Sequence, residues 1–204
     1  DLPDLVGTYS SGDPAQALVW LPGGALGFAS RSAALRSLVL PGQASGGGWP
    51  SPKIDDLEAG HAMVRAFRFT RPDWLLAALS DGGIVGWGRE GRLATGLKSG
   101  DGVVWAAAIG PTGRRIARAE AEGTSIVTCG GEGPDRPACA ASRIGEDPPR
   151  SVAIDEAEKL VAVGGEDGRL TLYDAAGVHQ GEPIELGSPV TALALSPRGD
   201  WVAA

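Results

Sequence analysis

Two cysteines, Cys129 and Cys139, are the residues of this 204-residue chain whose spacing most directly suggests covalent chemistry. The nine residues between them include three glycines and two prolines, which favour a hairpin loop. Cysteines opposed across an antiparallel hairpin lie within reach of a disulfide bond. A disulfide would indicate an oxidising compartment, whereas two half-buried thiols would suit the cytosol. The sequence therefore leaves periplasmic or secreted residence and cytoplasmic residence equally open.

The other reactive residue types do not form a catalytic or metal-binding pattern. The two histidines, His61 and His179, are far from each other in sequence and lack the ligand spacing of a zinc site. The chain contains no Gly-x-Ser-x-Gly elbow, no phosphate loop followed by Lys and Ser/Thr, and no His-Glu-x-x-His element. The run Gly164–Gly168 lies between two apolar segments, so it predicts a hairpin turn. We expect no catalytic residue, no metal and no cofactor, His61 as a structural residue, and His179 as a solvated loop residue.

The cysteines and histidines are positioned by a structural unit of about 40 to 45 residues that recurs along the chain. Each copy contains an apolar strand, a polar turn, a second apolar strand, an acidic residue followed by glycine, and further strands. The acidic-glycine pairs Asp81-Gly82, Glu122-Gly123 and Asp167-Gly168 predict tight hairpin turns. Each copy contains one apolar anchor residue on which the copies align, and successive anchors are 48, 40, 45 and 41 residues apart. The anchors are Leu21, Phe69, Ile109, Ile154 and Leu195.

The predicted fold class is all-β, because an isolated four-stranded antiparallel sheet cannot bury both faces and must stack on its neighbours. Radial stacking of such sheets gives a β-propeller, predicted here as one domain over residues 1–204. Two arrangements remain open: about five blades closed by N- and C-terminal strands, with Leu5–Tyr9 beside Trp201–Ala204, or a part of a larger, seven-bladed propeller. The predicted repeats lie near residues 15–61, 62–102, 103–149, 150–189, and 190–204 plus 1–14.

Three motifs resemble those of the WD-repeat propeller family, and the resemblance covers roughly residues 15–204. Gly60-His61 precedes a first strand, Tyr173-Asp174 ends a third strand, and Ser196–Asp200 is similar to the first hairpin turn of the family. The resemblance implies a β-propeller. It also implies a buried hydrogen-bond network in the second copy, through His61, Ser80 and Trp87.

Composition and charge exclude several classes of protein. The content of 43% apolar residues, 32 Gly and 15 Pro suits a turn-rich all-β chain with a buried core. The net charge of −7 disfavours nucleic acid and anionic membranes as partners, and no apolar run is long enough to enter a membrane. Arginines concentrated in the third copy alternate with glutamates, which predicts a solvated mixed-charge face; they are Arg114, Arg115, Arg118, Arg136, Arg143 and Arg150.

Two further features bear on the organisation of the chain. Pro41–Pro52, with three consecutive glycines, is read as a flexible insertion in the first copy. Residue 1 is Asp and Met63 is the only methionine, so we expect a processed chain, a domain of a longer one, or an incomplete sequence. The Ala-, Gly- and Arg-rich composition suggests a bacterial source.

The expected function is that of a non-catalytic binding module or scaffold, such as the recognition domain or a subunit of a larger bacterial complex. The first strands of a propeller line its central channel, and the positions four residues before the anchors ring its mouth: Ala17, Arg65, Trp105, Arg150 and Thr191. Arginine beside tryptophan would suit an acidic or phosphorylated peptide. Packing of Trp105 between blades is the alternative for that residue. The alternative function is a periplasmic propeller enzyme or an accessory subunit of a redox or hydrolytic complex.

Overall fold

The computed structural model describes residues 15–20, 26–30, 35–38, 62–71, 74–88, 91–98, 103–130 and 138–204. Within these ranges the regular secondary structure is antiparallel β-strand, arranged in five meander sheets. The all-β prediction is therefore confirmed. A membrane-crossing helix, which needs a long apolar stretch, is not found in this part of the chain. The segments Leu5–Tyr9 and Pro41–Pro52 and the residue His61 lie outside the described residues.

The sheets follow one another in chain order. Sheet 1 contains β1 (Ala15–Trp20), β2 (Leu26–Ser30) and β3 (Leu35–Leu38). Sheet 2 contains β4 (Val64–Arg71), β5 (Trp74–Leu79), β6 (Gly83–Gly88) and β7 (Gly91–Lys98). Sheet 3 contains β8 (Val104–Ile109), β9 (Arg115–Glu120), β10 (Gly123–Gly130) and β11 (Ala138–Gly145). Sheet 4 contains β12 (Pro149–Ile154), β13 (Leu160–Gly165), β14 (Arg169–Asp174) and β15 (Ile184–Glu185), and sheet 5 contains β16 (Ala194–Leu195) and β17 (Val202–Ala203).

The first strands of successive sheets are neighbours in space. Strand β4 contacts β1 on one side and β8 on the other, β8 contacts β12, and β12 contacts β16. The five sheets therefore form an arc with the first strands on its inside. The predicted turns have the backbone that a tight hairpin requires, since Gly82 and Gly168 have φ values of 81° and 84°.

The hydrophobic core lies between the faces of consecutive sheets. Ile109, Ile116 and Val127 pack against sheet 2, whereas Ala117, Ala119 and Ile126 pack against sheet 4. Strand β9 is consequently buried on both faces, which explains why its apolar residues do not alternate with exposed ones. A third cluster joins sheets 4 and 5; its members are Ala153, Ala162, Leu170, Leu172, Leu193, Leu195 and Val202. The stacking predicted from the size of each repeat is the source of the core.

Candidate binding face

The inner strands share a β-bulge close to the residue at which each of them begins. In β4, Val64 and Ala66 pair with consecutive residues of β5, so Arg65 is left unpaired. The same step leaves Trp105 unpaired in β8 and Arg150 unpaired in β12. A bulge bends its strand and redirects the side chain of the extra residue. Three successive sheets therefore present their bulged residue at an equivalent place.

The bulge of sheet 1 corrects one sequence prediction. Counting back from Leu21 selects Ala17, but the unpaired residue of β1 is Gln16. The count was one residue off because the residue four positions after the bulge of β1 is Trp20, whereas in the other three strands it is the chosen anchor.

Thr191 lies at the corresponding place beside sheet 5, although it is not part of a strand. The N–H of Val190 donates to the carbonyl of Gly165 in the preceding sheet at 3.0 Å. In the same way the N–H of Val104 donates to the carbonyl of Ser80 at 2.8 Å. Thr191 therefore follows Val190 as Trp105 follows Val104, and its side chain is exposed.

The bulges lie at the same end of the sheets as the acidic-glycine turns. Val64 pairs with Leu79, and Val104 pairs with Glu120, so each first strand begins beside the turn that joins the second and third strands. We call this end of the arc the turn face. It comprises the beginnings of β4, β8 and β12 and the turns at residues 80–82, 121–122 and 166–168.

Trp105 is exposed on the turn face. Its relative exposure is 53%, which is high for the largest apolar side chain and argues against packing between sheets. Its neighbours along the arc are the bulged residues of β4 and β12, because β8 contacts both strands. An exposed indole between two arginines is a candidate anchor for a binding partner.

Arg65 is half-buried beside Trp105. Its Nε donates to the carbonyl oxygen of Val104 at 2.9 Å, which connects sheet 2 to sheet 3. Burial lowers the pKa of Arg65, and no ion pair joins this guanidinium to a carboxylate within the described part of the chain. The positive charge of Arg65 therefore lacks a compensating partner there.

Arg150 is exposed and already paired. Its Nε and Nη2 both donate to the carboxylate of Glu166 in the adjoining turn, with Nη2 2.8 Å from Oε1. Two parallel hydrogen bonds hold the guanidinium in one orientation. The ion pair with Glu166 also offsets most of the positive charge that the sequence predicted at Arg150. Glu166 is a member of the face that sequence reasoning missed.

Arg118 departs from the solvated mixed-charge face predicted for the third copy. It is only 2% exposed and forms a 2.8 Å ion pair with Glu120. Nε and Nη2 donate to Oγ of Ser125, and Nη1 donates to the carbonyl of Gly82 in sheet 2 at 3.2 Å. Burial lowers the pKa of Arg118, and the charge of Glu120 opposes that effect. This arginine faces sheet 2 from β9, so it is part of the core and not of the surface.

The family resemblance implies a hydrogen-bond network through three residues, and of these side chains the structure describes only that of Ser80. The Oγ of Ser80 accepts a hydrogen bond from the N–H of Met63 at 2.9 Å. His61 and the side chain of Trp87 lie outside what the structure describes. His179 is exposed as predicted for a loop residue, but its ring also contacts the ring of Tyr173 at a centroid distance of 4.5 Å.

Cys129 and Cys139 pair directly across β10 and β11 and form a disulfide bond. Their Cα atoms are 4.0 Å apart. Both side chains pack against the apolar cluster between sheets 2 and 3, so the bond fastens the outer strand of sheet 3 beside that cluster. Among the described residues, no three His, Cys, Asp or Glu side chains come together as metal ligands would.

Solved structures resemble this arc of sheets. The structure is similar over 98% of the chain to the β-propeller domain of Cps50 (Swd1) from Myceliophteria thermophila, with a TM-score of 0.66 and 14% identity. It is similar over 93% of the chain to Raptor from Chaetomium thermophilum, with a TM-score of 0.65 and 16% identity. The fold is a β-propeller, the fold that the resemblance to the WD-repeat family implied.

The propeller spans 63% of the length of the Cps50 chain and 17% of the length of the Raptor chain. At these identities the similarity concerns the fold. No family model and no curated protein matches the sequence.

Proposed function

We propose that this propeller is a non-catalytic protein-binding module that docks a partner on its turn face and serves as a part of a larger assembly. The observation that carries the proposal is the recurrence of the bulge. Arg65, Trp105 and Arg150 are about 40 residues apart in sequence, yet they lie on neighbouring strands at one end of the arc. Tryptophan and arginine are the residue types most enriched at the energetic centres of protein interfaces.

The electrostatics of the site supports a partner with an acidic group near Trp105. Arg65 retains a charge that is not offset by a described carboxylate, so a carboxylate or phosphate of the partner would gain a charge-assisted hydrogen bond from it. Arg150 contributes less, because Glu166 already occupies it. The aromatic ring of Trp105 would cover the apolar part of the same segment.

Similar propellers occur as parts of longer chains, which supports membership of a larger assembly. The Cps50 structure is described as a β-propeller domain, and the matched region is a small part of the Raptor chain. Propellers of this kind thus occur as parts of longer chains.

The experiment introduces a photo-crosslinking amino acid at Ala121, an exposed residue of the turn face, in the cells that produce the protein. The affinity of the captured partner for the propeller is then measured by calorimetry. We expect Trp105→Ala to weaken binding by about 30-fold, the factor that corresponds to about 2 kcal/mol, with an unchanged melting temperature. Trp201→Ala is the matched control, since Trp201 is 77% exposed but follows the turn at 196–200, outside the turn face. Equal losses in both variants, or a sharp fall in the melting temperature of Trp105→Ala, would contradict the proposal.

A further inference from the structure

A small polar recess lies between sheets 3 and 4 beside the turn face. Its volume is about 10 Å³, which is room for one group of the size of a water molecule. Pro149 lines it and is followed by the bulged Arg150, so the recess adjoins the candidate binding face. The residues that give the recess its chemistry are Thr124, Asp147, Asp167, Arg169 and Tyr173.

Thr124 contributes a buried hydroxyl without a partner. The residue is 1% exposed, and its Oγ1 forms no hydrogen bond with another described residue. A buried polar atom without a partner destabilises the fold, and a ligand that donates to it would remove that penalty. Tyr173 and Gly145 both line the recess. The hydroxyl of Tyr173 lies against Gly145, since a Cβ built on Gly145 would be 2.8 Å from Oη.

The charge of the recess favours a cation. Arg169 is engaged by carboxylates, with its Nε 2.8 Å from Glu185 and 3.5 Å from Asp167. Asp147 is exposed and forms no ion pair with another described residue. Burial is the main cause that raises the pKa of Tyr173, and the charge of Asp147 adds to it. Arg169 lines the same recess, and the hydrogen bond and charge of Glu185 and the charges of Asp167 and Asp147 all raise its pKa. Three carboxylates thus act on one guanidinium, and the surroundings of the recess keep a net negative charge.

We propose that the recess is a subsite for a primary ammonium group, carried by a lysine of the partner that docks on the turn face. An ammonium group has the size of a water molecule and three N–H donors, which match Oγ1 of Thr124, Oη of Tyr173 and the carboxylate of Asp147. A planar guanidinium is too wide for this volume. This proposal rests on the proposed function only in one respect: the lysine belongs to the partner that docks on the turn face.

The test is an NMR titration of the whole ¹⁵N-labelled chain with n-butylammonium chloride. Butan-1-ol is the neutral control of the same shape, and sodium chloride matches the ionic strength. We expect saturable shifts of the amides of Thr124, Gly145 and Tyr173 with butylammonium alone. Asp147→Asn should weaken this binding about tenfold, as expected when a hydrogen-bond acceptor loses its negative charge, whereas Glu146→Gln, the same change at the adjacent exposed carboxylate, should not.

Thr124→Val separates an ammonium site from a water site. This variant keeps the shape of the side chain and should also lose butylammonium binding, whereas unchanged binding would overturn the assignment. Equal shifts with butan-1-ol, or no effect of Asp147→Asn, would show a site for water only and overturn it as well. Binding of ammonium chloride but not of butylammonium would exclude a lysine side chain. None of these results depends on Trp105, so this proposal and the proposed function fail separately.

Discussion

Glu158 accepts hydrogen bonds from both the N–H and the hydroxyl of Thr112, a residue 46 positions earlier in the chain. The distances to its Oε1 are 2.7 Å and 2.8 Å. Arg115 donates to the main-chain carbonyl of the same glutamate. These contacts join the β12–β13 turn of sheet 4 to the β8–β9 turn of sheet 3, at the end of the arc opposite the turn face. Glu158 is buried and has a φ of 53°, an unusual conformation for a residue other than glycine.

Replacing Glu158 with alanine should lower the free energy of unfolding by about 2 kcal/mol, because the donors of Thr112 would lose a charged acceptor. Equilibrium urea unfolding measures the change. Glu156→Ala is the matched control on the same turn, since Glu156 forms an exposed ion pair with Arg68 at 2.5 Å. Such surface pairs contribute about 1 kcal/mol or less. Equal destabilisation by the two variants would show that the Thr112 contact does not hold the sheets together.

Arg118→Lys should destabilise the propeller by about 3 kcal/mol, because lysine cannot reach Glu120, Ser125 and Gly82 at once and leaves buried partners unsatisfied. The corresponding control is Arg143→Lys in the same sheet. Arg143 pairs with Glu122, and both side chains are exposed, so the change should be small. Thermal unfolding of the two variants, followed by circular dichroism, would give the comparison. A loss at Arg118 no greater than that at Arg143 would count against a structural role for the buried pair.

The strands and turns were predictable from sequence because each depends on a local pattern. Apolar segments separated by Asp-Gly or Glu-Gly specify the meander wherever they occur. The bulges were not predicted, because an unpaired residue is defined by the register of the partner strand. A partial signal for them exists in the sequence: the bulged residues Arg65 and Trp105 each stand between a valine and an alanine, whereas Arg150 follows a proline. The burial of Arg118 had no such signal, since it depends on a carbonyl of the neighbouring sheet.

Gly123→Ala should be among the most destabilising single substitutions. Gly123 has a φ of 130°, and a Cβ at this position would lie 2.1 Å from the carbonyl oxygen of Gly145. Gly181→Ala isolates the contribution of the clash, because Gly181 also has a positive φ, 80°, but nothing lies within 4 Å of the added carbon. We expect a cost of about 1 kcal/mol at Gly181 and a clearly larger one at Gly123. Similar urea midpoints for the two variants would contradict the described turn.

Removing the disulfide by replacing Cys129 and Cys139 with alanine should cost about 2 to 3 kcal/mol, as expected for so short a loop. The first measurement is a thiol titration of the denatured, unreduced protein, which should give no reactive thiol. Reduction should then release two. Two thiols before reduction would show that the bond is not formed in the cells that produce the protein, and would remove the argument for an oxidising compartment.

Stability at alkaline pH should depend on Tyr173. Burial, with a smaller contribution from the charge of Asp147, raises the pKa of this tyrosine in the folded state. The folded state thus favours the neutral phenol, and this contribution is complete below the unfolded pKa of about 10 and is lost as the pH rises through the folded value. The stability difference between wild type and Tyr173→Phe, measured by urea unfolding, should therefore stay constant up to about pH 10 and shrink above it. Asp147→Asn should lower the folded pKa of Tyr173, so that the loss above about pH 10 becomes smaller and ends at a lower pH. If wild type and Tyr173→Phe lose stability in parallel across this range, the phenol is not held neutral by its surroundings.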